Sequence, residues 1–303
     1  MSIFSYVTAN FNKKKVSFSD INHTIKDFEK KNFQSKLVRN GACIGIVLVL
    51  LKLYEDYYDK NSLNFYLTIN SLLKEDKKII HEIYFLMQMQ NYIADNLNKN
   101  NDIGDKILYY HDYLQARNKD NSVKLSYYLT QYYISAIKLN WVFIKFSQQL
   151  NNLNELYEEI NNVFINYKEV YNDISLCFSI SLLFKDFCFL SQKHIRAHKI
   201  SIFLNIKNQQ STLIFIDPNE GIFEFSLGHS NDIRGFKSFF YSAIRLNYSL
   251  QNCSFELLLK DNSVTNRSYS HPLPNIENRV ERLESMGKKF VRTKTFPLNP
   301  TSL

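Results

Sequence analysis

Every proline in this chain lies at or beyond Pro218, and between Gly45 and Gly221 the only glycine is Gly104. Proline and glycine are the two residues that interrupt helices most strongly, so the long middle of the chain reads as helical. Within it, Lys78–Asn96 places Ile79, Ile83, Leu86, Met87, Tyr92 and Ile93 at helical spacing. Val123–Leu150 continues the pattern with Leu125, Leu129, Tyr132, Tyr133, Ala136, Leu139, Val142 and Phe143. Tyr171–Leu190 is more uniformly apolar, which suggests a helix buried on most sides. Asn-rich breaks at Asn96–Asn101 and Asn151–Asn154 separate these elements.

The period changes after His198. Ile200, Ile202, Leu204 and Ile206 alternate with Lys199, Ser201, Phe203 and Asn205, the pattern of a strand with one buried face. Leu213–Ile216 and Ile222–Phe225 read as two more strands, joined by the turn Asp217-Pro218-Asn219-Glu220-Gly221. A helix then fits Ile233–Asn247 and a further strand Ser254–Leu259. Helices first and an antiparallel sheet second predict an α+β fold. The expected organisation is an N-terminal region over 1–34, a catalytic domain over 35–260 that includes a helical insertion at about 60–190, and a basic tail over 261–303.

With 303 residues, 45% of them apolar, the chain can bury a large core. The net charge of +8 suits nucleic acid, an anionic membrane or an acidic protein equally well. Nucleic acid is not expected, because the aromatic residues follow core spacing instead of lining a basic face. Lys13–Lys15 and Lys288–Arg292 are the candidates for contact with an anionic membrane or an acidic partner, although solvated terminal segments look the same. No metal-ligand spacing, phosphate loop or dinucleotide fingerprint occurs, so no metal or organic cofactor is expected. The four cysteines, Cys43, Cys177, Cys188 and Cys253, are too scattered for a disulfide framework and read as reduced thiols. The first residues do not resemble a conventional signal peptide, and the longest apolar run, Ala42–Leu51, is about half of what crosses a bilayer.

Cys43 sits in Asn40-Gly41-Ala42-Cys43-Ile44-Gly45, small residues followed by a strongly apolar run. At the start of a buried helix, unpaired amides and the helix dipole favour thiolate and leave donors free for an oxyanion. A cysteine within an apolar run is also a common inert core residue. The second element of a site comes from the strands. If 199–206 and 209–216 form a hairpin turning through Lys207 and Asn208, His198 and Asp217 face one another directly, close enough for the carboxylate to hold the imidazole.

Three islands resemble the YopT-like cysteine peptidases, bacterial effectors of the papain-like clan. They are Gly41-Ala42-Cys43 leading an apolar helix, His198 leading an alternating strand, and Phe215-Ile216-Asp217-Pro218-Asn219-Glu220-Gly221 followed by Ile222-Phe223-Glu224-Phe225. The resemblance implies a papain-like fold in which the nucleophile stands on a buried helix packed against an antiparallel sheet. It implies that Cys43 is the nucleophile, His198 the general base and then acid, and Asp217 the residue that orients His198. The longer Cys-to-His spacing implies an inserted helical region. A side-chain amide shortly before the cysteine often completes the oxyanion site in papain-like enzymes. Here Gln34 and Asn40 are the candidates, and Leu37 stands where a papain-type glutamine would lie. The resemblance further implies a host-protein substrate, leaderless export from a bacterium and action in the host cytoplasm.

His194 is the alternative base, although it is expected on the exposed end of a preceding helix. His23, His81, His111, His229 and His271 lack a strand-then-acid context, and Cys177, Cys188 and Cys253 read as core. Two other functions stay open at this stage. A glutamine deamidase or transglutaminase uses the same three groups, and a non-catalytic interaction protein would merely bury Cys43.

Overall fold

A computed structural model of the chain describes residues 14–18, 43–58, 62–76, 78–83, 86–87, 126, 129–131, 133–134, 137, 139–147, 150–171, 173–186, 194–208, 210–228, 230–248 and 250–260. Among these residues seven strands form one sheet: β1 (Lys14–Ser17), β2 (Trp141–Phe146), β3 (Asp173–Asp186), β4 (His194–Lys207), β5 (Gln210–Asp217), β6 (Gly221–Ser226) and β7 (Leu250–Lys260). Their order is β1-β6-β5-β4-β3-β7-β2, and every neighbouring pair is antiparallel. The labelled helices are α1 (Cys43–Leu53), α2 (Ser62–Glu75), α3 (Leu153–Val170) and α4 (Ser230–Asn247), with one π turn at Tyr54–Tyr58 continuing α1.

The sheet has helices on both faces. On one face Cys177, Phe203, Ile214, Ile216, Ile222 and Leu258 pack with α1, the π turn, α2 and the helical residues within 78–87 and 126–134. On the other, Ile200, Ile202, Leu204, Phe215 and Phe255 pack with Leu156, Ile160 and Phe164 of α3 and Phe236, Phe239 and Phe240 of α4. The structure is thus α+β, with the helix that carries Cys43 packed against β4 of an antiparallel sheet. The apolar residues of α1 from Ile44 to Leu51 are all buried, as an apolar surface on every side of a helix requires. Lys52, its partly exposed cation, is held by Glu82 at 2.8 Å. Gly45 permits the close approach of this helix to its neighbour, because a Cβ there would lie 2.9 Å from the Ile83 carbonyl oxygen.

Several local expectations are corrected. The apolar segment Tyr171–Leu190 is not a helix over Asp173–Asp186, which form β3. Ile174, Leu176, Phe178, Ile180 and Leu182 alternate there with Ser175, Cys177, Ser179 and Ser181, and both faces are buried, so the period of two is masked by near-uniform hydrophobicity. Within Val123–Leu150 the residues described between 126 and 134 are helical, but Trp141–Phe146 form β2, with Val142 exposed at the sheet edge. The segment at about 60–190 therefore contributes β2 and β3 to the sheet as well as helices. Residues 78–83 and 86–87 are helical as expected. The Asn-rich break at Asn151–Asn154 is a helix start: Asn152 Oδ1 accepts from the Glu155 amide at 2.9 Å, while the Glu155 carboxylate accepts from the Asn151 amide at 2.9 Å.

The hairpin register is corrected as well. Lys207 pairs with Gln210 and Ser201 with Ile216, so the turn passes through Asn208 and residue 209, one position later than expected. Asn208 has φ 50°, the left-handed conformation that a tight hairpin turn demands and asparagine tolerates. His198 is thereby displaced two residues from the position opposite Asp217. An even displacement preserves the face, so the two side chains still project together as diagonal neighbours.

Candidate active site

The stagger of the sheet creates the site. Strand β4 is paired along its whole length with β3, from Asp173–Lys207 to Asp186–His194, but with β5 only from Ser201 to Lys207. Beyond the end of β5 at Asp217, the edge of β4 around His198 and Lys199 is unpaired by β5. The first residue of α1, Cys43, approaches there. His198 is not the first residue of its strand, as expected, but its fifth, and His194 lies in the same strand opposite Asp186 instead of ending a helix.

His198 Nε2 is 2.8 Å from Asp217 Oδ1, with both side chains buried. The Cys43 thiol is hydrogen-bonded to the His198 ring and also accepts from the main-chain amides of Lys199 and Ile44. With Nε2 engaged by Asp217, Nδ1 is the ring nitrogen left for the thiol. Cys43 itself is half-buried. The structure therefore brings together Cys43, His198 and Asp217 from α1, β4 and the end of β5.

The turn after β5 aims the carboxylate. Glu220 donates its amide to the Asp217 carbonyl at 2.9 Å, and the Asn219 amide donates to Asp217 Oδ1 at 2.9 Å, an Asx turn closing on Pro218. Gly221 returns the chain into β6 with φ 141°, a conformation that other residues rarely adopt. The Asp-Pro-Asn-Glu-Gly motif is thus a device that fixes a buried carboxylate beside a histidine.

The electrostatics favour an ion pair. Burial alone would push the Cys43 thiol up, but the hydrogen bond and charge of His198, together with the Lys199 and Ile44 amides, outweigh it and hold the thiol below its ordinary value. Burial likewise disfavours the charged imidazole, yet the charge and hydrogen bond of Asp217, helped by Cys43, push His198 up to about 10. The two groups are coupled, each making the charged form of the other more favourable.

Two features of the surroundings have no signature in the local sequence. Tyr248, just past α4, stacks on the His198 ring at 4.9 Å and donates its hydroxyl to Asp217 Oδ2 at 2.8 Å. On the opposite face of β4, Lys199 is buried with Glu256 of β7 at 3.4 Å and Ser181 at 3.2 Å, and it also bonds Ser126. Ser126 and Thr130 donate to Glu256 at 2.7 and 3.1 Å. Burial pushes the Lys199 amine down from the usual lysine range, against the Glu256 charge.

Of the remaining candidates, Gln34, Leu37, Asn40, Cys188, His23, His111, His229, His271, Lys13 and the 261–303 tail lie outside the described residues. Cys177 and Cys253 are buried in β3 and β7, and burial raises both thiols. His81 lies in the helical residues 78–83, on the face of the sheet away from His198.

No protein-family model and no curated protein sequence matches this chain. Among solved structures, the crystal structure of the Pseudomonas avirulence protein AvrPphB matches with 14% identity and a TM-score of 0.39, over 74% of this chain and 94% of that one.

Proposed function

We propose that the chain is a thiol-dependent peptidase of the papain-like type, with Cys43 as nucleophile, His198 as general base and then acid, and Asp217 as the group that orients His198. The observation that carries this reading is one imidazole hydrogen-bonded on one side to a buried carboxylate at 2.8 Å and on the other to a thiol at a helix N-terminus. The Cys43 thiolate attacks an amide carbonyl, forming the carbon–sulfur bond while the carbonyl electrons move to oxygen. The amides that open α1 have no carbonyl partner within the helix and are the candidates to hold that oxyanion. Collapse of the intermediate breaks the carbon–nitrogen bond, and His198 gives its proton to the departing amine. Water that loses a proton to His198 then attacks the thioester, releasing the acid and restoring the thiolate.

The resemblance of the Cys43, His198 and Asp217 motifs to the YopT-like peptidases makes a host protein, met in reducing cytoplasm after export from a bacterium, the expected substrate. The test treats one portion of the full chain with an iodoacetamide probe and a separate, unalkylated portion with a peptide library made from a host-cell lysate, both read by mass spectrometry. The expected result is rapid labelling of Cys43 ahead of Cys177 and Cys253, and new peptide termini that vanish in Cys43→Ala and His198→Ala. Glutamine converted to glutamate without chain cleavage would replace the peptidase reading with deamidation by the same groups. A Cys43 no more reactive than the two buried cysteines would remove both.

A further inference from the structure

The Asp217 carboxylate receives three donors. Oδ1 accepts from His198 Nε2 and from the Asn219 amide, and Oδ2 accepts from the Tyr248 hydroxyl at 2.8 Å. The Tyr248 oxygen in turn accepts from Asn219 Nδ2 at 3.0 Å. That bond fixes the direction of the tyrosine proton: with a donor already aimed at its oxygen, the hydroxyl is left to donate to Asp217. The tyrosine ring lies over the His198 ring with an interplanar angle of 22° and is itself braced edge-on by Phe184 of β3 at 5.2 Å. Its backbone is anchored too, since the Tyr248 amide completes the last turn of α4 on the Ile244 carbonyl at 2.9 Å.

We propose that Tyr248 is a positioning residue of this site, its hydroxyl aiming Asp217 at His198 and its ring fixing the imidazole plane toward Cys43. The inference rests on the peptidase reading and deepens it, extending the three reacting groups by a fourth that touches no substrate. Two contributions are separable. The hydroxyl holds the second carboxylate oxygen; without it the Asn219 amide on Oδ1 is left to restrain the group against His198, and the carboxylate plane can tilt away from the Oδ1–Nε2 contact. The ring lays an electron-rich face against an imidazole that is charged in the ion pair, an attraction of the cation–π kind. Among the described residues the titratable groups facing His198 are Asp217 from β5, Cys43 from α1 and Tyr248 beyond α4, while Lys199, its neighbour in β4, projects to the other face of the sheet.

The experiment follows the His198 ring by NMR in the full chain labelled at histidine, titrated from pH 5 to pH 11 as an experimental range, in wild type, Tyr248→Phe and Tyr248→Leu. Phenylalanine keeps the stack and removes the hydroxyl, whereas leucine removes both. Loss of the hydroxyl is expected to weaken imidazolium formation by about tenfold, moving the His198 midpoint down by about one pH unit, with a larger fall in Tyr248→Leu. Circular dichroism and thermal melting report whether each variant is folded. Where Tyr248→Leu does not fold, Tyr248→Phe alone decides. A folded Tyr248→Phe with an unmoved His198 midpoint, even with a lower melting temperature, overturns the proposal and leaves Tyr248 a packing residue. Failure of the underlying reading looks different: in that case the wild-type Cys43 is not preferentially alkylated and the wild-type His198 titrates in the ordinary range.

Discussion

Replacing Asp217 with asparagine separates the charge of this residue from its geometry. Asparagine Oδ1 can still accept from His198 Nε2 and from the Asn219 amide, so the ring keeps an acceptor at the same place. What is lost is the negative charge, together with the acceptor that Oδ2 offers the Tyr248 hydroxyl. In the wild type, His198 stands at about 10 against an ordinary 6.5, although burial pulls it the other way. Asp217 supplies the leading upward influence on His198 through its charge, followed by its hydrogen bond. Removing the charge is therefore expected to lower the His198 midpoint by about two pH units, a loss of roughly 3 kcal/mol of imidazolium stabilisation. The NMR titration described for Tyr248 measures this directly, and the alkylation rate of Cys43 reports the accompanying loss of thiolate. Asp217→Ala, which also leaves the buried ring nitrogen without an acceptor, should fall further. A folded Asp217→Asn whose His198 midpoint stays within half a pH unit of the wild type would refute the claim that the carboxylate charge sustains the ion pair.

The ion pair also shapes stability. His198 protonation stabilises the fold in full below 6.5 and loses that contribution as pH rises through about 10, while the Cys43 thiolate contributes in full above 9.0 and loses it as pH falls. Just below 9.0 the two slopes oppose one another, so urea midpoints should fall less steeply with rising pH in the wild type than in Cys43→Ser; equal slopes in both would contradict the coupling. Lys199→Met strands Glu256 in a site where the two side chains are 4% and 2% exposed, and is expected to cost about 3–5 kcal/mol in urea unfolding. Lys199→Met combined with Glu256→Leu should recover most of that loss, and a single variant within about 1 kcal/mol of wild type would show that the pair is not sealed from water. Gly45→Ala gains about 1 kcal/mol of helix propensity but sets a Cβ 2.9 Å from the Ile83 carbonyl oxygen. Overpacking of about 1–3 kcal/mol should leave it less stable, and a stabilised variant would mean that the helical residues 78–83 yield easily.

How much was legible depended on how far apart the interacting residues lie. The alternation from Lys199 to Ile206, the Asp217–Gly221 turn and the apolar helix behind Cys43 are local patterns, and each appears in the structure. Their period, turn chemistry and spacing express short-range sterics that a sequence carries openly. The failures came where local pattern is ambiguous or silent. Strand β3 lies between β4 and β7 with both faces covered, so Ile174–Leu182 are all buried and an alternation of serine with leucine or isoleucine was outweighed by overall apolarity. The hairpin turn moved by one residue because Lys207-Asn208 and the pair beginning at Asn208 are both polar, and only the pairing of whole strands chooses between them.

The sequence by itself determined which groups could do chemistry here: a cysteine ahead of an apolar helix, a histidine on an alternating strand, and an aspartate in a turn that clamps its own side chain. Only the tertiary structure decided that they meet. The early end of β5 leaves the β4 edge open to α1. The end of α4 lays Tyr248 across His198 and Asp217, and β7 brings Glu256 to Lys199. These contacts join residues distant in the chain, whose identities follow no local period, and burial gives them their strength by removing the water that would otherwise screen them.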